Sequence, residues 1–293
     1  MVQYELRITD YNKLKPMKLK LITFCLFFIT VIFSCKKEDL STGIDPGSSG
    51  NTPAPLLSKV LIDNQSAYEY VYNDSSLITT EKSKFDYTVN HFNALGQLSY
   101  TDYYGNDNVL SSDATVVQAA MNSSTWVTPA NGVVGGCLKY EYNSNGQLIK
   151  STFSRPQSTC SEYSVFSYDA SNRINRQTMY WENVATGYID YSYDGKGNLI
   201  VESLYNLPLT GAAELITTTK YEFDSKLNPY RLHSKSLIPG IDTNQNNILK
   251  VTCTIKINPA QGSDKVQISQ DTYKYNSAGY PVTKNANTTY IYK

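Results

Sequence analysis

YSYDGKGNLI, residues Tyr191 to Ile200, decides the fold of this chain. Tyr191 and Tyr193 are two apart, so on an extended chain they fall on one face of a strand. Asp194 comes next, and its side chain can bond the backbone two residues on and open a turn. Three residues later, Gly197 can take the left-handed conformation that closes a type I turn followed by a G1 bulge. Leu199 then starts a return strand. Ten residues therefore spell one β-hairpin.

The same pattern recurs along the chain, and repeats take precedence over other signals. Clear copies are YEYNSNGQLI from Tyr140 and YKYNSAGYPV from Tyr273. Looser ones are YVYNDSSLI from Tyr70, HFNALGQL from His91, FSYDASNRI from Phe166 and YEFDSKLNPY from Tyr221. The turn-opening positions are Asn143, Asp169, Asp194, Asp224 and Asn276, and the closing glycines are Gly96, Gly146, Gly197 and Gly279. Asn172 and Asn228 stand near the glycine site, and Asn tolerates that conformation best after Gly. Leu98, Leu148, Ile174 and Leu199 begin return strands. The pattern predicts seven hairpins, with Tyr290-Ile291-Tyr292 as a closing strand.

Spacing is uneven. Successive copies at Tyr142, Tyr168, Tyr193 and Phe223 lie 26, 25 and 30 residues apart. Gaps of 50 (Phe92 to Tyr142) and 52 (Phe223 to Tyr275) are about double. They predict insertions around 106–136 and 237–262, or a lost repeat. DATVVQAAM, Asp113 to Met121, predicts a single short helix, with Asp113 as N-cap and an apolar stripe of Val116, Val117, Ala120 and Met121. The fold class expected is all-β: serial antiparallel hairpins forming an extended twisted or curled meander sheet. Cross-strand Tyr pairs, each contributing about 0.2–1 kcal/mol, are expected to carry much of its stability.

These motifs resemble the YD repeat of the RHS family, in the divergent form found in Gram-negative lipoproteins of unknown function. The resemblance covers most of Tyr68 to Lys293 and is most specific at Tyr191–Ile200. RHS proteins wind very many such repeats into a closed shell around a toxin. The few copies here are too few for a shell, so that role is not carried over. FDSKLNPYRL, from Phe223 to Leu232, is similar to an NPY turn of the lipoprotein group, which implies that Pro229 fixes the backbone at a strand entrance.

Upstream of the repeats, Met17-Lys18-Leu19-Lys20 is a basic lead before the apolar run LITFCLFFITVIF, Leu21 to Phe33. Thirteen residues of helix reach about 20 Å, short of the ~30 Å hydrocarbon core, so residues 17–35 read as a signal peptide and not as a membrane span. Ile32-Phe33-Ser34-Cys35 resembles the bacterial lipobox, with Phe33 bulkier than the usual occupant. The resemblance implies acylation of Cys35. Residues 1–16 are polar and unlike a signal peptide, which makes Met17 the expected start. Lys36-Lys37-Glu38-Asp39 is similar to the signal that carries some Gram-negative lipoproteins to the cell surface. Residues 36–55, ending in LSTGIDPGSSGNTPAP, are a flexible linker. The β domain is expected over 56–293.

Composition narrows the function. The 293 residues carry 26 basic and 26 acidic side chains, so no basic face exists for nucleic acid. Tyr, at 25, outnumbers Phe and Trp together, which suits half-buried sheet surfaces. His91 and His233 are the two histidines, far apart and inside strand patterning. No HExxH, GxSxG, P-loop or paired-Cys zinc spacing occurs, so no catalytic residue, metal or cofactor is expected. Asp242-Thr243-Asn244-Gln245-Asn246 echoes a calcium loop but lacks its Gly and late Glu, and reads as an ordinary polar loop. Cys137, Cys160 and Cys253 remain after Cys25 and Cys35. An oxidising compartment and a shared sheet end predict a Cys137–Cys160 disulfide, the alternative being buried free thiols. The expected function is a non-enzymatic, lipid-anchored surface scaffold or adhesion module that binds glycan or an envelope protein. The alternatives are a structural subunit of an outer-membrane complex and a β-scaffold enzyme acting on glycans.

Overall fold

The computed structural model describes residues 55–83, 86–105, 126–156, 158, 160–232, 238–257 and 262–293. Cys35 and the candidate helix Asp113–Met121 lie outside them. Among the described residues every long element is a strand: β1 (Leu57–Ile62), β2 (Gln65–Tyr72), β3 (Ile78–Ser83), β4 (Asp86–Phe92), β5 (Leu98–Gly105), β6 (Val133–Tyr142), β7 (Leu148–Ser154), β8 (Glu162–Tyr168) and β9 (Ile174–Trp181). There follow β10 (Val184–Tyr193), β11 (Leu199–Asn206), β12 (Glu214–Leu227), β13 (Asn246–Ile255), β14 (Lys265–Gln270), β15 (Tyr273–Tyr275), β16 (Pro281–Lys284) and β17 (Thr288–Tyr292). Two short 3-10 turns, Pro229–Leu232 and Ile241–Thr243, separate β12 from β13.

All seventeen strands belong to one antiparallel sheet. Each strand from β1 to β14 pairs with its sequence neighbour, as a meander requires. β17 pairs with β1, Tyr290 opposite Val60, and so acts as the closing strand that its sequence predicts. β16 joins β17 to β15. The hydrogen-bond ladder is not closed, and its two edges are β14 and β15. Only Asp271 and Thr272 separate those strands, so the edges lie beside each other and the sheet curls round into a hoop. Seventeen strands about 4.8 Å apart give a girth of roughly 80 Å, or about 25 Å across. Side chains bridge the seam, with the Tyr273 hydroxyl donating to the Ile248 carbonyl at 3.1 Å.

Six of the seven predicted hairpins form, and their turns share one geometry. Oδ1 of Asn73, Asn93, Asn143, Asp169, Asp194 and Asn276 accepts the backbone N–H groups two and four residues on. The left-handed position is held by Gly at 96, 146, 197 and 279, by Asn172 at φ 63° and by Ser76 at φ 59°. Register slips just before each turn, as at Ser192/Tyr193, which is the expected bulge. At the opposite end of the sheet, Asp63-Asn64 and Glu182-Asn183 make two-residue turns with positive φ throughout.

The seventh differs. Asp224 opens no hairpin: β12 runs through it to Leu227, which pairs with Asn246. Three residues beyond Asp224 stands Leu227, and a branched side chain does not take the left-handed conformation that closes the other turns. Residues 228–232 and 238–245 lie outside the sheet instead. Pro229 thus sits at the exit of β12 and starts a 3-10 turn, not a strand. Within the second long gap, β13 and β14 supply two regular strands.

Much of the core is a row of aliphatics. Ile78, Leu98, Leu148, Ile174 and Leu199 each stand five residues after a turn-opening Asn or Asp and are 0–5% exposed, and Leu57 at the start of β1 is equally buried. Each such side chain contributes about 1.5–3 kcal/mol on burial, which exceeds the contribution of a cross-strand Tyr pair. The tyrosines add a register device. Hydroxyls of Tyr72, Tyr142, Tyr168 and Tyr193 donate to the carbonyls of Leu57, Leu98, Leu148 and Ile174 at 2.6–2.9 Å. Phe92 has no hydroxyl for the Ile78 carbonyl, and Asn90 Nδ2 donates there instead at 3.1 Å.

Candidate functional site

Most residues singled out by the sequence turn out to be structural. Asn143, Asp169, Asp194 and Asn276 spend Oδ1 on their own turns, and Gly146, Gly197 and Gly279 supply the backbone those turns need. Asp224 becomes a junction, corrected from a turn. Its Oδ1 accepts the N–H of Lys226 and of Asn247, while Oδ2 accepts Asn247 Nδ2 and the Tyr275 hydroxyl. Asn228 is not at a left-handed site. It is 2% exposed and its Nδ2 donates to the carbonyls of Ile241 and Asn244.

Cys137, Cys160 and Cys253 are free thiols, which corrects the expected Cys137–Cys160 bridge. Cys137 on β6 faces Ser154 of β7, and β8 lies beyond β7. Cys160 lies in the connection that leads from β7 into β8. Cys137 instead stands opposite Asp102, whose Oδ2 is 3.2 Å from His91 Nε2. This cysteine, carboxylate and histidine do not make an activated nucleophile. Burial and then the Asp102 carboxylate raise the thiol pKa, keeping it protonated, and the carboxylate stands between thiol and imidazole. His233 lies outside the described residues.

The polar loop 242–246 uses its side chains as stitching. Asn244 Oδ1 accepts the Leu199 N–H at 2.7 Å, and Asn246 Oδ1 accepts Asn198 Nδ2 at 3.0 Å. Asn198 returns the contact, its Oδ1 accepting the N–H groups of Gln245 and Asn246. Sequence patterning passed over Asn198, a free position of the repeat, yet it is 1% exposed and anchors this loop to the β10–β11 turn.

The two faces of the sheet differ. The outer face carries ion pairs between strands: Lys59–Glu69, Lys150–Glu141, Arg176–Asp190 and Lys250–Glu222. Its aromatics are stacked on one another. Tyr163 and Tyr180 lie 4.7 Å apart with Lys150 over Tyr163, and Tyr188 and Tyr205 lie 4.6 Å apart with Arg176 over Tyr188. Those ring faces are already engaged, which leaves little of them for a sugar.

The inner face is the candidate site. Two described pieces of the segment between β12 and β13 reach it: Tyr230 packs with Leu57, Val60 and Tyr290 on one wall, and Ile238 with Leu148, Phe166, Ile174, Tyr191 and Leu199 on the other. Above this floor stands Glu81 on β3, directly opposite Tyr70 of β2 and Thr88 of β4. The residue is exposed to water although it lies on the inner side of the sheet, as expected of a group facing a hollow. Burial, then the charges of Asp242 and Asp86, push its carboxyl up to about 7. Around it, burial raises the hydroxyl pKa of Tyr70, Tyr72, Tyr140 and Tyr230, and pushes that of Tyr103 up to about 12. Glu202, also raised by burial, bonds the Tyr221 hydroxyl on β12. It lies eight strands from Glu81, on the far wall. Counting register through the bulge after Tyr72 would have placed Glu81 inward. The sequence offers no other signal for it.

No family model matches the chain, and no curated protein matches it. Solved structures similar to it include a porin-like protein from Bacteroides vulgatus ATCC 8482, at 10% identity over 82% of this chain and 99% of that one, TM-score 0.34. A porin-like protein from Bacteroides uniformis ATCC 8492 matches at 9% identity over 81% and 98%, TM-score 0.37. The TcdB2-TccC3 structure matches at 12% identity and TM-score 0.29, over 78% of this chain. This chain spans about a tenth of that one, 11% of its length.

Proposed function

We propose that this protein is a lipid-anchored envelope protein, held by acylated Cys35 in the outer membrane and displayed at the cell surface. Its hoop of YD-type hairpins serves as a non-enzymatic binding module. The observation that carries the binding role is the inner face, where Glu81 and its tyrosines surround a hollow that water enters. Partners are a glycan or another envelope component, not nucleic acid, given the zero formal net charge. The ion-paired outer face supports a hoop standing in water rather than in lipid, since charges facing hydrocarbon are costly.

Labelling with radioactive palmitate in a Gram-negative host tests the anchor: label should enter the wild type and not Cys35→Ser. Protease shaving of intact cells tests display, and survival of the protein would place it in the periplasm. A glycan array probed with the purified protein tests the binding role. A second reading, a subunit of an envelope complex, is favoured by one observation. β14 pairs only with β13 and carries Val266 and Ile268, 57% and 58% exposed, along an edge. Co-purification of a stoichiometric partner lost on Ile268→Lys would favour it.

A further inference from the structure

The carboxylate of Glu81 faces the hollow with no hydrogen-bond donor among the described residues. The groups that act on its charge are Asp242, from the segment between β12 and β13, and Asp86, at the start of β4, and both are acidic. No lysine or arginine among the described residues offsets it. Lys82, its neighbour on β3, points to the opposite face by strand alternation. Water that enters the hollow hydrates this carboxylate, and among the described residues no opposite charge competes with a cation for it.

What surrounds Glu81 is aromatic. Tyr70 stands opposite it on β2, and Tyr68 lies two residues along on the same face. Tyr72, Tyr103 and Tyr230, from β2, β5 and the segment between β12 and β13, all sense its charge. The ring positions are tied down. Tyr230 packs edge to face on Tyr290, ring centroids 6.1 Å apart, and Tyr103 packs the same way on Phe153 at 6.3 Å. Fixed ring faces beside a carboxylate attract a cation through both the quadrupole and the charge, more strongly where water is scarce.

We propose that this wall of the hoop, with Glu81 at its centre and Tyr68, Tyr70, Tyr103 and Tyr230 around it, binds a small organic cation carrying an ammonium group. It rests on the binding-module reading above and adds the class of ligand. A metal ion fits less well, because among the described residues no three His, Cys, Asp or Glu side chains group as ligands. An ammonium group brings the charge and the donors that Glu81 lacks. A neutral sugar brings donors alone.

Binding of an amine should strengthen as pH rises through about 7, where Glu81 ionises, and a bound cation should lower that midpoint. Titration calorimetry on the full-length protein with choline, ethanolamine and glucosamine, and with glucose as the uncharged control, tests this. At least one amine should bind, about tenfold more tightly near pH 8 than near pH 5.5, and glucose should not. Glu81→Gln should abolish both the binding and its pH dependence, while Glu202→Gln on the far wall should change neither. Thermal melts of both variants guard against misfolding, and Tyr70→Leu, which removes the facing ring but keeps the charge, should weaken binding at least severalfold. Absence of binding by all three amines overturns the proposal, as does binding indifferent to Glu81→Gln. A neutral glycan captured on the array with equal strength by Glu81→Gln would also overturn it, while leaving the binding module standing. Failure of every amine and every glycan would overturn both.

Discussion

Asp194 and Asp224 begin from nearly the same sequence, YSYD and YEFD, and end in different structures. Asp194 folds the chain back within four residues. Asp224 lets the strand run on to Leu227, and eighteen residues pass before Asn246 pairs with it. The side chain behaves alike in both places, since each Oδ1 accepts the N–H two residues on. What differs is the residue three positions later. Gly197 takes φ +89°, whereas Leu227 stays extended. Freed from a turn, Asp224 collects donors from distant chain, Asn247 and Tyr275. Five residues after it, where Leu199 would stand, Pro229 is still fully buried. The repeat's core slot survives while its hairpin does not.

The largest effect expected concerns that slot. Leu148 is 0% exposed in a regular repeat, and Leu148→Ala should cost about 2–5 kcal/mol in a urea melt. Leu227→Ala, on the half-buried stretch before the segment between β12 and β13, should cost clearly less, and equal costs would break the comparison. Next, Asp224→Ala should cost about 3 kcal/mol, because four donors in a partly buried setting lose their acceptor. Asp194→Ala should cost less, about 1–2 kcal/mol, since water can replace the acceptor of the Lys196 N–H but not those of the buried Asn198. Third, Gly197→Ala should cost about 1–2 kcal/mol from backbone conformation alone, for nothing lies within 4 Å of an added methyl group. A neutral result would mean that the turn can close without a left-handed residue.

The smallest effect is a pH dependence. The N–H and then the guanidinium of Arg173 hold the Asp169 carboxyl below its ordinary value. Its pKa is depressed in the folded state, so its stabilisation is present above the unfolded pKa of about 3.9 and is lost as pH falls through the folded value. Asn143, which makes the same turn with an amide, has no such dependence. Asp169→Asn should therefore remove a small part of the acid sensitivity of the melting temperature below about pH 4. An unchanged acid limb would show that this carboxylate does not contribute.

Local rules made much of the fold legible. An aromatic pair, an Asn or Asp and a left-handed residue lie within eight positions, and their interactions are made within the hairpin itself. Six turns therefore follow from the sequence, as do the bulges beside them and the closing role of Tyr290-Ile291-Tyr292. Asp224 misled because the sequence matches the repeat up to the one position that fails. Glu81 was passed over because inward or outward direction depends on counting through a bulge that shifts the register.

The sequence alone determined that the chain is β and where six of its hairpins turn, since each depends on residues near one another. Only the tertiary structure decided that the partner of β17 is β1, that the edges meet across Asp271-Thr272, and that Gln245 and Asn246 anchor on Asn198. It also decided that Glu81 looks inward among tyrosines from other strands. Those facts depend on long-range pairing, and a repeat that reads the same in every copy does not say which copies become neighbours when the sheet curls.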